Sequence, residues 1–323
     1  MKTDNDIYSK FEPLWADVMN ADTFPAKRPL LAHYTSVATL ESIMVNDSVW
    51  LSNPLYMNDM EELRFGIHEG ANLFRKNQAI RDACETEDRY QKLQQIFERK
   101  FSDFTEQHAF DIYIFCLSEH NPENNSDGLL SMWRGYGGNG SGAAIIFDTA
   151  KLEYLQNSPM IIANVTYASG DQRRSWIDAK LNEFALILKN SSVPEDKLYL
   201  PVHAIFERIK IFSLFTKHHG FSEEKEWRVA YLRERDTANK FSNMLHYSVG
   251  KNGVEPKLKY KIEPLEGITA GDLSLEKIVH QIILGPSISN PLAMTAVRRM
   301  LETIKKPEIA KRLTASTTPF RVV

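Results

Sequence analysis

Apolar positions along this chain recur with two periods. Between residues 61 and 110, Leu63, Ile67, Phe74, Ile80, Leu93, Ile96, Phe97, Phe101 and Phe104 are spaced as on amphipathic helices among many charges. The spacing predicts long helices broken around Cys84 to Glu87. Residues 12–20, with Pro13 in the first turn, predict a short helix. Leu40, Ile43 and Met44 predict another at residues 37–46, capped by Thr35-Ser36. Further helices are expected at 171–190, 196–218 and 291–305. Apolar runs and period-two alternation predict strands at 30–34, 49–52, 111–117, 143–147, 161–167, 225–232, 257–262 and 277–284, with a last one before Val323. Scattered short strands with helical inserts indicate an α+β fold, read as one elaborated domain over 1–323 with 61–110 as a helical insertion.

Composition narrows the function classes. The chain has 323 residues, 43% of them hydrophobic and 25% charged, with a formal net charge of −3, as in a folded globular protein. An acidic balance argues against duplex nucleic acid held by a broad electrostatic surface. The polar start Met1-Lys2-Thr3-Asp4 has no signal-peptide pattern, and apolar runs are too short to span a bilayer, so a cytoplasmic protein without a membrane partner is expected. Cys84 and Cys116 form no Cys-x-x-Cys pair, and Cys116 reads as a small buried hydrophobe. Adjacent His218 and His219 make a poor metal pair, so no metal is expected.

The chemically dense words are His33-Tyr34-Thr35-Ser36, Asn53-Pro54 with Asn58-Asp59 and Glu61, Phe115 to Glu119, Met132-Trp133-Arg134-Gly135-Tyr136-Gly137, and Lys217 with Glu224-Lys225-Glu226-Trp227-Arg228. Polar groups set in strand-like runs need partners, so such words suggest a shared polar cleft. Glu224 and Glu226, two apart, would share a face if the strand starts early enough; the alternative is a solvated strand edge. His33 suits a strand end, either as a ligand or as a hydrogen-bonded structural residue. Ser118 could bind substrate or close a turn, and Asn58-Asp59 could orient a ligand or cap a helix. The run Gly135 to Gly142 lacks phosphate-loop and dinucleotide spacing and reads as a turn, beside which Trp133, Arg134 and Tyr136 could meet a nucleotide.

Together these words resemble a prokaryotic family known as domain of unknown function 2971, over roughly residues 30–285. More distantly, the order His33, Ser118, Glu224-Lys225-Glu226 is similar to the ADP-ribosyltransferase superfamily, which places His or Arg, then Ser or Tyr, then Glu on successive strands. That resemblance implies a split β-sheet core with helical insertions and NAD as a substrate. It implies Glu226 as the carboxylate that stabilises oxocarbenium character, Glu224 as the residue positioning the acceptor, His33 on a ribose hydroxyl and Ser118 in support. Tyr34, Thr35, Trp133 and Tyr136 would line the cofactor, and Arg134 or Arg228 would meet its pyrophosphate. A macromolecular acceptor, protein or nucleic acid, and a cognate inhibitor are the implied partners of a toxin-like defence effector. NAD glycohydrolase, metal-dependent nuclease and non-catalytic ligand- or partner-binding module are the competing readings. The transferase reading requires His33, Ser118 and Glu226 to converge on one cleft.

Overall fold

Apolar alternation sets the strands, and short polar side chains start the helices. In the computed structural model, which describes residues 4–18, 23–57, 60–153, 158–250 and 253–320 (only the backbone at 60–62), the chain begins with α1 (Asp4–Tyr8), β1 (Leu30–Thr35), α2 (Val37–Asn46), β2 (Ser48–Ser52), α3 (Met60–Lys76), α4 (Gln78–Ala83), α5 (Glu87–Glu106) and β3 (Ile112–His120). There follow α6 (Pro122–Asn125), α7 (Leu130–Gly135), β4 (Ala143–Asp148), β5 (Met160–Asn164), β6 (Thr166–Ala168), α8 (Gly170–Asn190), α9 (Tyr199–Leu214), β7 (Thr216–His218) and β8 (Glu226–Leu232). Last come β9 (Leu245–Gly250), β10 (Gly253–Lys261), α10 (Leu275–Ile278), β11 (Val279–Leu284), α11 (Pro291–Thr303), α12 (Pro307–Ala310) and β12 (Leu313–Ala315). The mixture of helices with one large sheet is α+β in character.

The chain folds as two compact units. One comprises Met1–Ala21, Pro54–Ile112 and Thr166–Gly220; the other comprises Asp22–Asn53, Tyr113–Val165 and Phe221–Val323. The helical unit packs α3 and α5 on α9 and α4 on α8. Its core includes Phe74 stacked on Phe97 with ring centroids 3.8 Å apart, together with Phe184 and Phe206. Gly66 and Gly70 of α3 lie against Ser213 and Ile209 of α9, where any Cβ would collide. The charged stretch at 61–110 therefore shares its core with residues 166–220 instead of closing on itself.

The second unit is built on a sheet in the order β12-β11-β4-β1-β3-β2-β10-β9, with β8 pairing β3 and β5. β1 pairs antiparallel with β3 and β4, β2 with β3 and β10, β4 with β11, β5 with β8 and β9 with β10, whereas β11 and β12 are parallel. Alternation divides its side chains between two clusters. Leu31, Phe115, Leu117, Ile145, Trp227 and Tyr231 join a large one with Leu40, Ile43 and Met44 of α2. Ala32, Tyr34, Ala144, Ile146 and Ile283 join a small one with Met132 and Trp133 of α7. Ser36 caps α2 as expected, accepting the Thr39 N–H at 3.0 Å.

Several elements differ from the sequence reading. Residues 12–18 hold the end of a 3-10 segment (Ser9–Trp15) and a turn, not a longer α-helix, and 19–20 lie outside the described residues. The strand expected at 161–167 divides at Val165 into β5 and β6, one in each unit. Expected helix at 216–218 is instead β7, and β8 starts one residue late, at Glu226. Cys116 is half-buried.

Candidate functional site

The junction of β3 with β8 is built from main-chain constraints. Lys225, immediately before β8, has φ +44°, a left-handed conformation that an L side chain adopts at a cost of about 1 kcal/mol. Two bonds from β3 hold it there: the Glu119 N–H donates to the Lys225 carbonyl at 2.9 Å, and the buried Ser118 hydroxyl donates to the Glu224 carbonyl at 2.5 Å. Ser118 thus spends its proton on the backbone. Because Lys225 is not extended, Glu224 and Glu226 do not share a strand face as the sequence suggested.

Glu226 opens β8 and is 4% exposed. Arg228, two residues on and 3% exposed, grips it through Nε to Oε1 at 2.7 Å and Nη2 to Oε2 at 3.0 Å. Such a fork satisfies both carboxylate oxygens in a dry setting, where neither charge is tolerable alone. The pair faces away from Trp227 and Tyr231, hence away from the large cluster. Of the two arginines offered for a pyrophosphate, Arg134 and Arg228, Arg228 is buried and bonded to Glu226.

Glu224 differs from it in setting. Its side chain is half-buried, and its Oε1 accepts a hydrogen bond from the hydroxyl of Tyr136 at 3.1 Å. Tyr136 follows α7 and is 44% exposed. Arg134, two residues earlier, is also exposed and lies over the Phe320 ring at 5.7 Å. A carboxylate, a phenol and a guanidinium thus mark the accessible edge of this region.

The other aromatic residues proposed for a cofactor are core. Trp133 is fully buried and donates from Nε1 to the Asp127 carbonyl at 2.9 Å, and Tyr34 meets it edge-on at 4.9 Å between centroids. Tyr34 accepts the Leu129 N–H, and burial pushes its phenol up to about 12. Thr35 is buried too, and its carbonyl lies where a Cβ at Gly142 would sit, 2.1 Å away. The glycine-rich run is therefore a close main-chain approach: Gly142 accepts from Gly285 N–H at 2.8 Å, and Gly140 from Ser287 N–H at 2.9 Å.

His33 stands on the opposite side of the sheet. It shares the face of Leu31 and packs against Phe115 with centroids 4.4 Å apart and rings tilted by 34°, whereas Ser118 pairs with Ala32 on the face of the small cluster. Its Nδ1 meets the Cys116 carbonyl at 3.2 Å, which can only accept, so Nδ1 carries the proton. Burial lowers its pKa to about 4 against the opposing pull of that carbonyl, leaving the ring neutral at pH 7. Ser118, Glu224, Glu226, Arg228 and Tyr136 are thus brought into one neighbourhood; His33 is not. Asn58 and Asp59 lie outside the described residues, as does the side chain of Glu61.

Two contributors were given no role from the sequence. Glu119 accepts from Trp227 Nε1 at 3.1 Å and pairs with Lys27 at 3.0 Å, pinning β8 to β3 from the large-cluster side. Glu119 was visible as a charge in a strand, but nothing local marks Lys27. Among the described residues, no group of three or more His, Cys, Asp or Glu is arranged to hold a metal, and no helix is long and apolar enough to cross a membrane.

Residues 132–229 match the model of a family described as Protein of unknown function (DUF2971). That stretch runs from α7 into β8 and contains Trp133, Tyr136, Glu224, Glu226 and Arg228, which supports the family resemblance drawn from those words. No curated protein and no solved structure matches the chain.

Proposed function

We propose that the chain transfers ADP-ribose from NAD to a macromolecular acceptor, with Glu224 as the carboxylate that meets the ribose. One observation carries this reading: Glu224 is partly accessible and held by Tyr136 on a strained turn, while neighbouring Glu226 is buried and compensated by Arg228. Strain kept at one turn by surrounding bonds is a common property of working sites. As the bond from nicotinamide to ribose C1′ breaks, positive charge grows on the sugar and a fixed carboxylate stabilises it. The acceptor then bonds C1′ and yields its proton to Glu224. Tyr136 offers an exposed ring for the nicotinamide or adenine, and Arg134 a cation for the pyrophosphate. The convergence of His33, Ser118 and Glu226 that the superfamily resemblance required is not met, so in this proposal Glu226 and Ser118 are positioning residues and His33 has no part in the chemistry.

The test incubates purified protein with labelled NAD, alone and with cell lysate, and follows nicotinamide release and labelled macromolecules. Release by the wild type is expected to vanish in Glu224→Gln with its melting temperature unchanged. Release that persists in Glu224→Gln, or none from the wild type under either condition, overturns the proposal. Placement of His33 across the sheet favours a second reading, a non-catalytic nucleotide-binding module. Calorimetric NAD binding without nicotinamide release would select it.

A further inference from the structure

A groove of about 580 Å³ lies in the sheet-containing unit where β4, β11 and β12 run side by side, and it uses none of the residues assigned above. Its lining includes Lys151, Lys277, His280 and Arg312, opposed by the single carboxylate of Asp148. Among the described residues, Arg312 is held by carbonyls: Nε donates to Glu308, Nη2 to Glu276, both at 3.0 Å, and Nη1 to Val279. That arrangement holds the guanidinium rigid without neutralising it. Lys151 is exposed and has no ion-pair partner among the described residues, whereas Lys277 pairs with the largely exposed Asp272. Asp148 is partly occupied, accepting the Ala150 N–H at 2.9 Å.

A second observation comes from the strand register. Leu30 of β1 pairs with His120 on one side and Asp148 on the other, so His120 and the groove's carboxylate stand in one row across the sheet. His120 is 4% exposed, and its Nδ1 is buried without a hydrogen-bond partner. Buried ring nitrogens normally have partners, and burial first, with His280 nearby second, makes the His120 ring harder to protonate. Three fixed or flexible cations around a cleft within the usual range for small-molecule sites suit an anion with several oxygens. An overall net charge of −3 and the local extent of the cationic surface speak for a small molecule over a nucleic acid.

We propose that this groove binds a small molecule bearing a di- or triphosphate, with Lys151, Lys277 and Arg312 around the phosphates and His280 at their edge. The test is calorimetric titration of the full chain with inorganic pyrophosphate and with ADP, repeated on Lys151→Glu and His280→Ala. Both positions are exposed, so folding should survive, as circular dichroism would verify. Loss of one charge-assisted contact is expected to weaken pyrophosphate by about tenfold or more in Lys151→Glu, and by less in His280→Ala. Equal affinity in all three proteins, or no binding by the wild type, overturns the proposal. It is also overturned if a short single-stranded oligonucleotide binds more tightly than either probe and loses affinity in the same variants, since the ligand is then nucleic acid.

Discussion

At Glu226 both carboxylate oxygens accept from one guanidinium in a buried setting, so removing either partner takes a bidentate, charge-assisted contact away from a buried charge. Arg228→Met should therefore destabilise the fold by about 3 kcal/mol or more, measured by urea denaturation, and Glu226→Gln/Arg228→Met should recover part of that loss. Glu224→Gln, at a partly solvated position, should change stability by less than about 0.5 kcal/mol. His33 supplies a pH signature. Its folded pKa of about 4 lies below the unfolded value of 6.5, so the unfolded chain takes up a proton first on acidification. The stabilising contribution is complete above pH 6.5 and is lost as the pH falls through 6.5 toward 4. In His33→Gln the slope of stability against pH in that window should flatten; an unaltered slope would show that the ring is not held neutral.

Strands and helices with a strong apolar period were legible from sequence, as was the Ser36 cap, because burial and local hydrogen bonding set both. The exposed hairpin strand β9 was not: its positions are mostly solvent-facing, so no apolar face announces it. The run 161–167 reads as one strand because its hydrophobicity continues through Val165, while the chain changes unit at that point. The site was legible in its residue types but not in its arrangement. A left-handed lysine at 225 has no sequence signature, yet it decides that Glu224 and Glu226 stand in different environments. The glycine-rich run was correctly a turn, and its positions are not equivalent. Gly142→Ala drives a Cβ into the Thr35 and Gly137 carbonyls, 2.1 and 2.7 Å away, and should cost about 3 kcal/mol. Gly135→Ala, at the end of α7 with nothing within 4 Å, should be neutral or stabilising by up to about 1 kcal/mol. Thermal melts of the two variants would separate close approach from simple flexibility.

For the molecule as a whole, the acidic balance predicts weak binding to duplex DNA. Fluorescence anisotropy with a random 20-base-pair duplex should give a dissociation constant no tighter than about 10⁻⁴ M near physiological salt. Tighter, salt-sensitive binding would mean that local cationic surface outweighs the net charge. The division of the chain also fixes an order of events during synthesis. The helical unit has all its residues once Gly220 has been made, so it can complete while the ribosome is still translating. The sheet unit cannot: β2 waits for β10, β4 waits for β11, and β3 waits for β8, whose Glu226 and Arg228 arrive in the same stretch. Until then the nascent chain carries unpaired strand edges, the condition that invites association with other chains, so the growing polypeptide is most in need of chaperone protection before its last third emerges.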